Sequence, residues 1–172
     1  LNVSSDPSHN RPVLTVAGTP GGLHDAMLAL VAAAIAQIDL RRHQGAHPRL
    51  GAVDVMPFVP LAGSTMADAI ALARRFAGAA ADAFGLPVYL YDEAAPAAHR
   101  RRLDQLRAGG LEGLAARMHL PDWLPDRGPH VPHPTAGVIA VGARKPLVAF
   151  NVNLGTTDMT VARRIASAVR AR

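Results

Sequence analysis

The segment His43–Phe58 joins a helix-patterned stretch to a strand-patterned one, and its composition limits how the chain can fold there. It contains two histidines, an arginine, an aspartate, two prolines and two glycines. Proline removes one backbone torsion and glycine permits turns that other residues avoid, so such a connection has a largely fixed course. Because functional side chains are often held on loops by the rigid elements around them, this segment is the first candidate for a functional site.

The overall composition is that of a packed globular protein. The 172 residues favour a single domain, and 49% of them are apolar whereas only 18% are charged. The absence of cysteine excludes a disulfide framework, thiol catalysis and cysteine-ligated zinc, and it fits a reducing compartment, so we expect a cytoplasmic protein. No apolar run approaches the roughly 18 residues that a membrane span requires, and we therefore expect no membrane association.

The formal net charge of +5 raises the question of a nucleic-acid partner. The arginines are spread through several predicted helices, and aromatic residues make up only 4% of the chain. Proteins that bind single strands or RNA usually interleave aromatic side chains with their positive charge. We therefore do not expect nucleic-acid binding. Solvated arginine-rich helix faces, attraction of a polyanionic small molecule and a basic interaction protein remain as alternative interpretations.

Hydrophobic periodicity divides the chain into alternating strands and helices. Thr19 supplies an N-cap that is followed by proline at the first helical position, Ser64 is predicted to cap a second helix, and Gly109-Gly110 separates two short helices. The predicted strands span 11–17, 53–59, 88–91, 137–141 and 147–152. The predicted helices span about 20–40 and 64–84, and two short helices lie within 96–118. A last helix is predicted to begin at Thr157 or Asp158, with an inward face formed by Val161, Ile165, Ala168 and Val169.

Hairpin-like strand pairs interspersed with helices predict an α+β fold, with helices on one face of a mostly antiparallel sheet. Pro57 within the second strand predicts an edge position or a bulge there. Residues 120–135 contain five prolines and no periodicity, and a loop of this length in a compact domain is usually functional or disordered. Asn151 and Asn153 alternate with Val152 and should share one sheet face.

His47 is the residue in the loop that is best suited to acid–base chemistry. The unperturbed pKa of histidine lies near neutrality, and Pro48 restricts the backbone of His47 to extended geometry. The alternative is a loop histidine that only satisfies backbone hydrogen bonds. His43 lies four residues earlier, but Gly45 argues against a helix that would pair the two rings, and we expect no metal. Asp54 could orient a histidine or a loop arginine, or could brace the backbone.

Several blocks of this sequence resemble glutamate formiminotransferases. The His43–Phe58 segment resembles the family pattern His-x-Gly-Glu-His-Pro-Arg-x-Gly-Ala-x-Asp-Val-x-Pro-Phe, with Ala46 in place of the glutamate. Ser5–Arg11 is similar to Ser-Asp-Pro-Asp-His-Asn-Arg, and Gly85–Tyr91 is similar to Gly-x-Pro-Val-Tyr-Leu-Tyr. The remaining similar blocks follow in the family's order at 106–114, 125–129, 133–137, 142–144 and 149–154.

The resemblance implies a ferredoxin-like arrangement and places residues 1–172, as a single domain, in the amino-terminal subdomain of the transferase, without that subdomain's first strand and without a second subdomain. It implies transfer of a formimino group from N-formimino-L-glutamate to tetrahydrofolate, the acceptor substrate, as in histidine degradation. A second subdomain or a second copy of the chain is the implied protein partner. Ala46 and Ser4 depart from the family pattern, and they favour the alternative of a non-catalytic module that binds a folate-like ligand or serves assembly.

The resemblance also implies roles for individual residues. His47 aligns with the family's catalytic histidine and is expected to act as general acid and base. From its own chemistry and not from the resemblance, Arg49 is expected to pair with a substrate carboxylate through two parallel hydrogen bonds, with Arg11 and Arg144 as further candidates. The alternative for each of them is a surface or loop-bracing arginine. The folate is expected to contact a segment whose small residues would let a flat ring approach the backbone, namely Gly128, Pro129, His130, Val131, Pro132, His133, Pro134, Thr135, Ala136 and Gly137.

Overall fold

In the computed structural model of the chain, the described residues are 2–147 and 152–170. They form a mixed α/β structure. Its elements are β1 (Asn2–Asp6), β2 (Arg11–Thr15), α1 (Pro20–Gln37), β3 (Val55–Phe58), α2 (Met66–Phe84), β4 (Val88–Asp92), α3 (Leu103–Leu106), α4 (Gly110–Arg117), β5 (Ile139–Ala143) and α5 (Met159–Arg170), with single 3₁₀ turns at Ala98–Arg100 and Pro121–Trp123.

The described strands form two sheets. β1 and β2 make an antiparallel hairpin, whereas β3, β5 and β4 lie in that order in a three-stranded sheet whose pairings are both parallel. The mostly antiparallel pairing predicted from the sequence does not describe this central sheet. The cause is the long connection between β4 and β5, which returns the chain to the end of the sheet where β4 began, so β5 enters between β3 and β4 in their own direction. β3 is an edge strand, as Pro57 predicted.

Both faces of the central sheet are covered, so the prediction of helices on one face only is wrong. Val88 and Leu90 belong to a core formed with α1 and α2, whereas Tyr89 and Tyr91 pack with residues of α3, α4 and the turn that follows. The strands of a parallel sheet are usually apolar on both sides, because both sides must be removed from water. β4 has that composition, and the 96–123 segment supplies the second layer.

The two long helices begin where side chains can accept their first backbone N–H groups. Thr19 accepts from the N–H of Gly22, as predicted. α2 is capped by Thr65 and not by Ser64: Thr65 accepts from the N–H of Asp68, and the Asp68 carboxylate accepts from the N–H of Thr65 in return. The Thr65 hydroxyl also donates to this carboxylate and lowers the pKa of Asp68. Ser64 instead closes the preceding turn.

The predicted break between the two short helices is confirmed. Gly109 and Gly110 have φ angles of 78° and 66°, a left-handed conformation that only glycine adopts without strain. The reversal places Leu106 and Leu114 together beneath Tyr89. This second layer therefore depends on the two glycines.

The carboxyl-terminal part of the chain differs from the sequence prediction. α5 begins next to Asp158, whose side chain accepts from the N–H of Thr160, but its predicted inward face is not buried: Ile165 and Val169 are 44% and 59% exposed. The predicted strand over 147–152 lies mostly outside the described residues, as does Asn151, and residues 152–154 are not in a strand. Among the described helices, none combines the length and the apolar character that crossing a membrane requires.

The layer between α2 and the sheet depends most on Phe76. Its side chain is fully buried, and its ring packs edge-on against Phe58 at a centroid distance of 5.7 Å. We expect Phe76→Ala to lower the free energy of unfolding by about 3–5 kcal/mol, because it leaves a cavity that the helix and sheet cannot fill. Phe84→Ala, at the half-buried end of the same helix, should cost clearly less. Urea denaturation of both variants measures the difference, and equal losses would contradict this description of the core.

Candidate active site

The loop that carries His47 is fixed at its base by main-chain hydrogen bonds to the segment that leads into β5. The N–H of Leu40 donates to Thr135 at 2.8 Å, the N–H of Ala52 donates to Ala136 at 2.9 Å, and the N–H of Val138 donates to Leu50 at 3.0 Å. These bonds hold both ends of the loop against the same backbone. The course of the loop is therefore determined by the central sheet and not by the loop alone.

Two glycines permit this close approach. A side chain at Gly51 would collide with the carbonyl oxygen of Val138, and one at Gly137 would collide with the carbonyl oxygen of Leu50. Gly137 also has a φ of 69°. Gly51 of the His47 loop and Gly137 of the 128–137 segment thus face each other and form an isolated antiparallel β-bridge.

The turn of the β1–β2 hairpin rests on the other side of the same loop. The N–H of Ala46 donates to the carbonyl of Ser8 at 3.1 Å, and the side-chain amide of Asn10 donates to the carbonyl of Gln44 at 2.9 Å. The ring of His43 lies with Nε2 at 2.9 Å from the carbonyl oxygen of Asn10 and donates to it. His43 is therefore a structural residue that ties the loop to the hairpin.

His47 is half-buried and is held through one ring nitrogen. Its Nδ1 lies 2.6 Å from the carbonyl oxygen of Pro48 and 3.0 Å from a guanidinium nitrogen of Arg11. A protonated Nδ1 can donate only to the carbonyl, and an unprotonated Nδ1 can accept only from Arg11, so the two hydrogen bonds exclude each other. The shorter contact is the one to Pro48, which leaves Nε2 with a free lone pair. No hydrogen bond to Nε2 comes from any residue within 2–147 or 152–170.

Asp54 organises the charged groups around His47. Its side chain is 11% exposed, accepts from the N–H of Leu50 at 2.7 Å, and forms ion pairs with Arg11 at 2.9 Å and with Arg107. Asp54 therefore braces the loop backbone, as one interpretation from the sequence held. The arginines that it orients are Arg11 of β2 and Arg107 and not the loop arginine Arg49, which pairs with Glu112. Arg107, at the end of α3, was not singled out from the sequence, although it lies in the 106–114 block that resembles the family.

A cleft of about 400 Å³ opens beside His47 and is lined by residues 43–49 together with Gly110 and Glu112. Arg49 lies in this cleft. One of its guanidinium nitrogens donates to the carbonyl of Leu40 at 3.1 Å, and another lies 3.6 Å from the carboxylate of Glu112, which is 75% exposed. The pairing with Glu112 is loose enough to be exchanged for another carboxylate. The structure thus brings His47 and Arg49 into one concave site.

The ten candidate residues over 128–137 are placed differently at their two ends. Residues 133–137 lie at the base of the His47 loop, where Nδ1 of His133 accepts from the N–H groups of Thr135 and Ala136 and so fixes a turn. Residues 128–131 are exposed, and Gly128 lies against the carbonyl of Leu86 near the start of β4. Residues 128–137 do not line the cleft beside His47.

No cluster of metal-ligating side chains accompanies this cleft. In the part of the chain that the structure describes, no three histidine, cysteine, aspartate or glutamate side chains are grouped so that they could hold a metal ion. The groups that converge on the site are imidazole, guanidinium and carboxylate. They suit proton transfer and the binding of an anionic ligand.

Comparison with known proteins identifies the class to which this fold and site belong. Residues 1–144 match the family model described as the formiminotransferase domain, N-terminal subdomain. Since the match covers most of the chain, the protein belongs to this family.

Similar individual proteins carry related names. The chain is 43% identical over 170 residues to a glutamate formimidoyltransferase of Streptococcus pyogenes serotype M1, an alignment that covers 99% of this chain and 57% of that protein. It is 42% identical to a glutamate formimidoyltransferase of Thermoplasma acidophilum, again over 57% of the relative. It is 45% identical to a formimidoyltransferase-cyclodeaminase of Sus scrofa, over 91% of this chain and 29% of that protein. The chain thus spans little more than half the length of the glutamate formimidoyltransferases.

The glycine bridge yields a test of how the loop is held. We expect Gly51→Ala to lower the free energy of unfolding by roughly 1–3 kcal/mol, because the added methyl group must displace the backbone at Val138. Gly78→Ala is the matched control, since its methyl group would meet nothing within 4 Å and alanine is favoured in a helix. Thermal unfolding of the two variants is the measurement. A Gly51→Ala protein as stable as the wild type would contradict the close approach.

The role of Asp54 can be tested in the same way. Asp54→Asn keeps an oxygen for the N–H of Leu50 but removes the charge that faces Arg11 and Arg107. We expect a loss of roughly 2–4 kcal/mol, because two partly buried guanidinium groups then lack their counter-ion. Asp104→Asn, which removes a solvent-exposed partner of Arg102, should change stability by less than about 1 kcal/mol. Urea titration of both variants compares them, and similar losses would show that Asp54 is not a structural centre.

Proposed function

We propose that this chain takes part in folate-dependent one-carbon transfer, in which a formimino group moves from N-formimino-L-glutamate to tetrahydrofolate with His47 as general acid and base. The chain belongs to the formiminotransferase family, and the observation that carries the proposal is how the two ring nitrogens of His47 are placed. One ring nitrogen is held by the protein, and the other is free at a cleft that also contains Arg49.

The chemistry requires two proton transfers. A folate nitrogen attacks the formimino carbon and must lose its proton, and the glutamate nitrogen must gain one before its bond to that carbon breaks. With Nδ1 bonded to the Pro48 carbonyl, Nε2 of His47 can accept the first proton. After accepting it, His47 is an imidazolium that still donates from Nδ1 to the Pro48 carbonyl, and its Nε2–H can return a proton to the glutamate nitrogen. His47 can thus serve first as base and then as acid while Nδ1 keeps the same partner.

Substrate binding is assigned to the arginine and to the proline-rich segment. In the proposal, Arg49 in the cleft binds a carboxylate of the substrate. That carboxylate would displace the exposed side chain of Glu112. The segment 128–137 is proposed to contact the folate, and the support for this is the position of its final residues at the base of the His47 loop. Neutral binding surfaces of backbone and small side chains suit a flat ring system.

The proposal includes a ferredoxin-like arrangement, a cytoplasmic protein and packing against a second subdomain or a second copy. The support for the arrangement is the split β-α-β unit, in which β3 and β4 are parallel strands joined by α2 with β5 between them. β5 runs parallel to both neighbours, whereas the inserted strand of a ferredoxin-like sheet is antiparallel, so the likeness extends to the connection of the unit and not to its pairing. The exposed apolar side chains of α5 and of the hairpin are the surfaces such a partner would cover.

The alternative function is that of a non-catalytic module that binds a folate-like ligand or serves assembly. Two residues favour it. Ala46 lines the cleft with a methyl group where the family pattern has a carboxylate, and Ser4 lies exposed in β1, opposite Val13. Saturable binding of tetrahydrofolate by the wild-type protein, without transfer from formiminoglutamate, would identify this second function. Absence of any folate binding would rule out both functions and favour a basic interaction protein.

The His47→Ala variant tests the transferase proposal. We expect it to lower kcat for formimino transfer by about 100-fold or more, the usual effect of losing a general acid or base. Tetrahydrofolate binding should persist, because the ring of His47 is assigned to proton transfer and not to holding the ligand. Steady-state kinetics and a fluorescence titration with tetrahydrofolate provide the two measurements. His119→Gln, an exposed histidine outside the cleft, is the control, and unchanged kcat in His47→Ala would reject the role of His47.

A further inference from the structure

We propose that His9, held by Asp6, is a second proton-transfer residue beside His47, and that the two imidazoles divide the two proton transfers of the reaction. The inference rests on the proposed function and refines it: His47 keeps the role of base toward the folate nitrogen, and the role of acid toward the glutamate nitrogen passes to a residue outside the His47 loop. The structural basis is a carboxylate–imidazole pair on the hairpin turn whose ring lies next to the ring of His47.

The first observation is the environment of Asp6. Its carboxylate accepts hydrogen bonds from the hydroxyl of Ser8 at 2.6 Å and from the backbone N–H groups of Ser8 and His9 at 2.9 and 3.2 Å. The hydrogen bond from the Ser8 hydroxyl, followed by that from the His9 side chain, holds the pKa of Asp6 well below its usual range. Asp6 is therefore a fixed anion, and the turn residues around it prevent it from rotating away.

The second observation is how this anion holds His9. Nδ1 of His9 lies 2.5 Å from an Asp6 oxygen, so Nδ1 carries hydrogen and donates it. Nε2 is then the nitrogen available for chemistry, and it has no hydrogen-bond partner among residues 2–147 and 152–170. A carboxylate that orients an imidazole through Nδ1 fixes the tautomer and stabilises the positive charge that forms when Nε2 is protonated.

The third observation is the distance between the two rings. The centroids of His9 and His47 are 5.7 Å apart, and the planes meet at 67°. The hairpin is kept at this distance by the bonds between its turn and the loop at Ser8, Asn10, Gln44 and Ala46. Two imidazoles on two separate segments are thus held close enough to face one small molecule, or to exchange a proton through a single water molecule.

The charged groups around the rings give them different roles. His9 contacts the anion of Asp6, whereas His47 contacts the guanidinium of Arg11, which Asp54 holds in place. The other charged groups near the cleft are Arg49 with its exposed partner Glu112, and Arg107 on the far side of Asp54. The Asp6 carboxylate is placed to face the positive charge of His9 when both of its ring nitrogens carry hydrogen, whereas His47 has a guanidinium beside it. On this geometry we assign proton donation to His9 and proton acceptance to His47.

The resulting step balances without a further reactant. The folate nitrogen uses its lone pair to form a bond to the formimino carbon, and its proton passes to Nε2 of His47. The glutamate nitrogen receives the proton from Nε2 of His9, and the bond between that nitrogen and the formimino carbon breaks, with the electron pair leaving on the nitrogen. His47 ends protonated and His9 ends neutral. Transfer of one proton from His47 to His9 through a single water molecule then restores the starting state.

The test compares His9→Gln and Asp6→Asn with the control His119→Gln in the full chain, by kinetics across pH. We expect His9→Gln to lower kcat by about 100-fold while KM changes by less than about twofold, since the residue is assigned to proton transfer and not to binding. A group that must be protonated loses activity as pH rises, so the alkaline limb of the wild-type profile should disappear in His9→Gln. The acid limb, which belongs to His47, should remain. Asp6→Asn should move the alkaline limb to lower pH.

Imidazole NMR provides a readout that does not depend on turnover. In the wild-type chain, the ring nitrogen signals of His9 should report hydrogen on Nδ1, held by Asp6. This signature should be lost in Asp6→Asn, the ring signals of His9 should move in His47→Gln because the two rings are neighbours, and neither should change in His119→Gln. Unchanged kcat and an intact alkaline limb in His9→Gln, together with loss of activity in His47→Ala, would overturn the role of His9 and leave the proposed function intact. No transfer by the wild-type chain, or full activity of His47→Ala, would overturn the proposed function and with it the inference about His9.

Discussion

The arrangement of the site depends on the hydrogen bonds and ion pairs that the carboxylate of Asp54 forms. This carboxylate is nearly buried at the start of an edge strand and is bonded to the loop backbone, to the hairpin through Arg11 and to the second helical layer through Arg107. Three separate parts of the chain therefore share one charge. Such a group is costly to bury alone, and the two guanidinium groups and the backbone N–H offset that cost. The position of Arg11 next to His47 follows directly from this arrangement.

The central sheet determines where these parts can meet. Because the strands are parallel and apolar on both faces, helices or turns must cover each side, and the connection from β4 to β5 has to cross the second face. That crossing brings α3 and α4 to the start of β3, where Arg107 reaches Asp54 and where Gly110 and Glu112 complete the cleft. The cleft is thus a consequence of covering the sheet. The loop alone would supply only one of its walls.

Local signals were sufficient for many of the elements but not for their pairing. The N-cap at Thr19, the break at Gly109-Gly110 and the edge position implied by Pro57 all agree with the structure. The cap of α2 was misplaced by one residue, because Ser64 and Thr65 are both suitable caps and only the reciprocal bond with Asp68 distinguishes them. The direction of β5 was not predictable, since a short apolar strand carries no information about which neighbour it will join.

The sequence by itself determined the membership of the family, the position of the helices and the identity of a loop in which Pro48 restrains His47. The family is recognised from motifs that follow one order along the chain. The helices and the restraint on His47 depend on hydrogen bonds and torsions within a few residues, so they can be recognised in an isolated segment. Only the tertiary structure decided that His9 lies beside His47, that Arg11 reaches its Nδ1 from 36 positions away, and that Arg107 meets Asp54 across 53. Contacts over such separations are set by how the layers pack, because the entropy of closing long loops is offset only by burial that the whole fold provides.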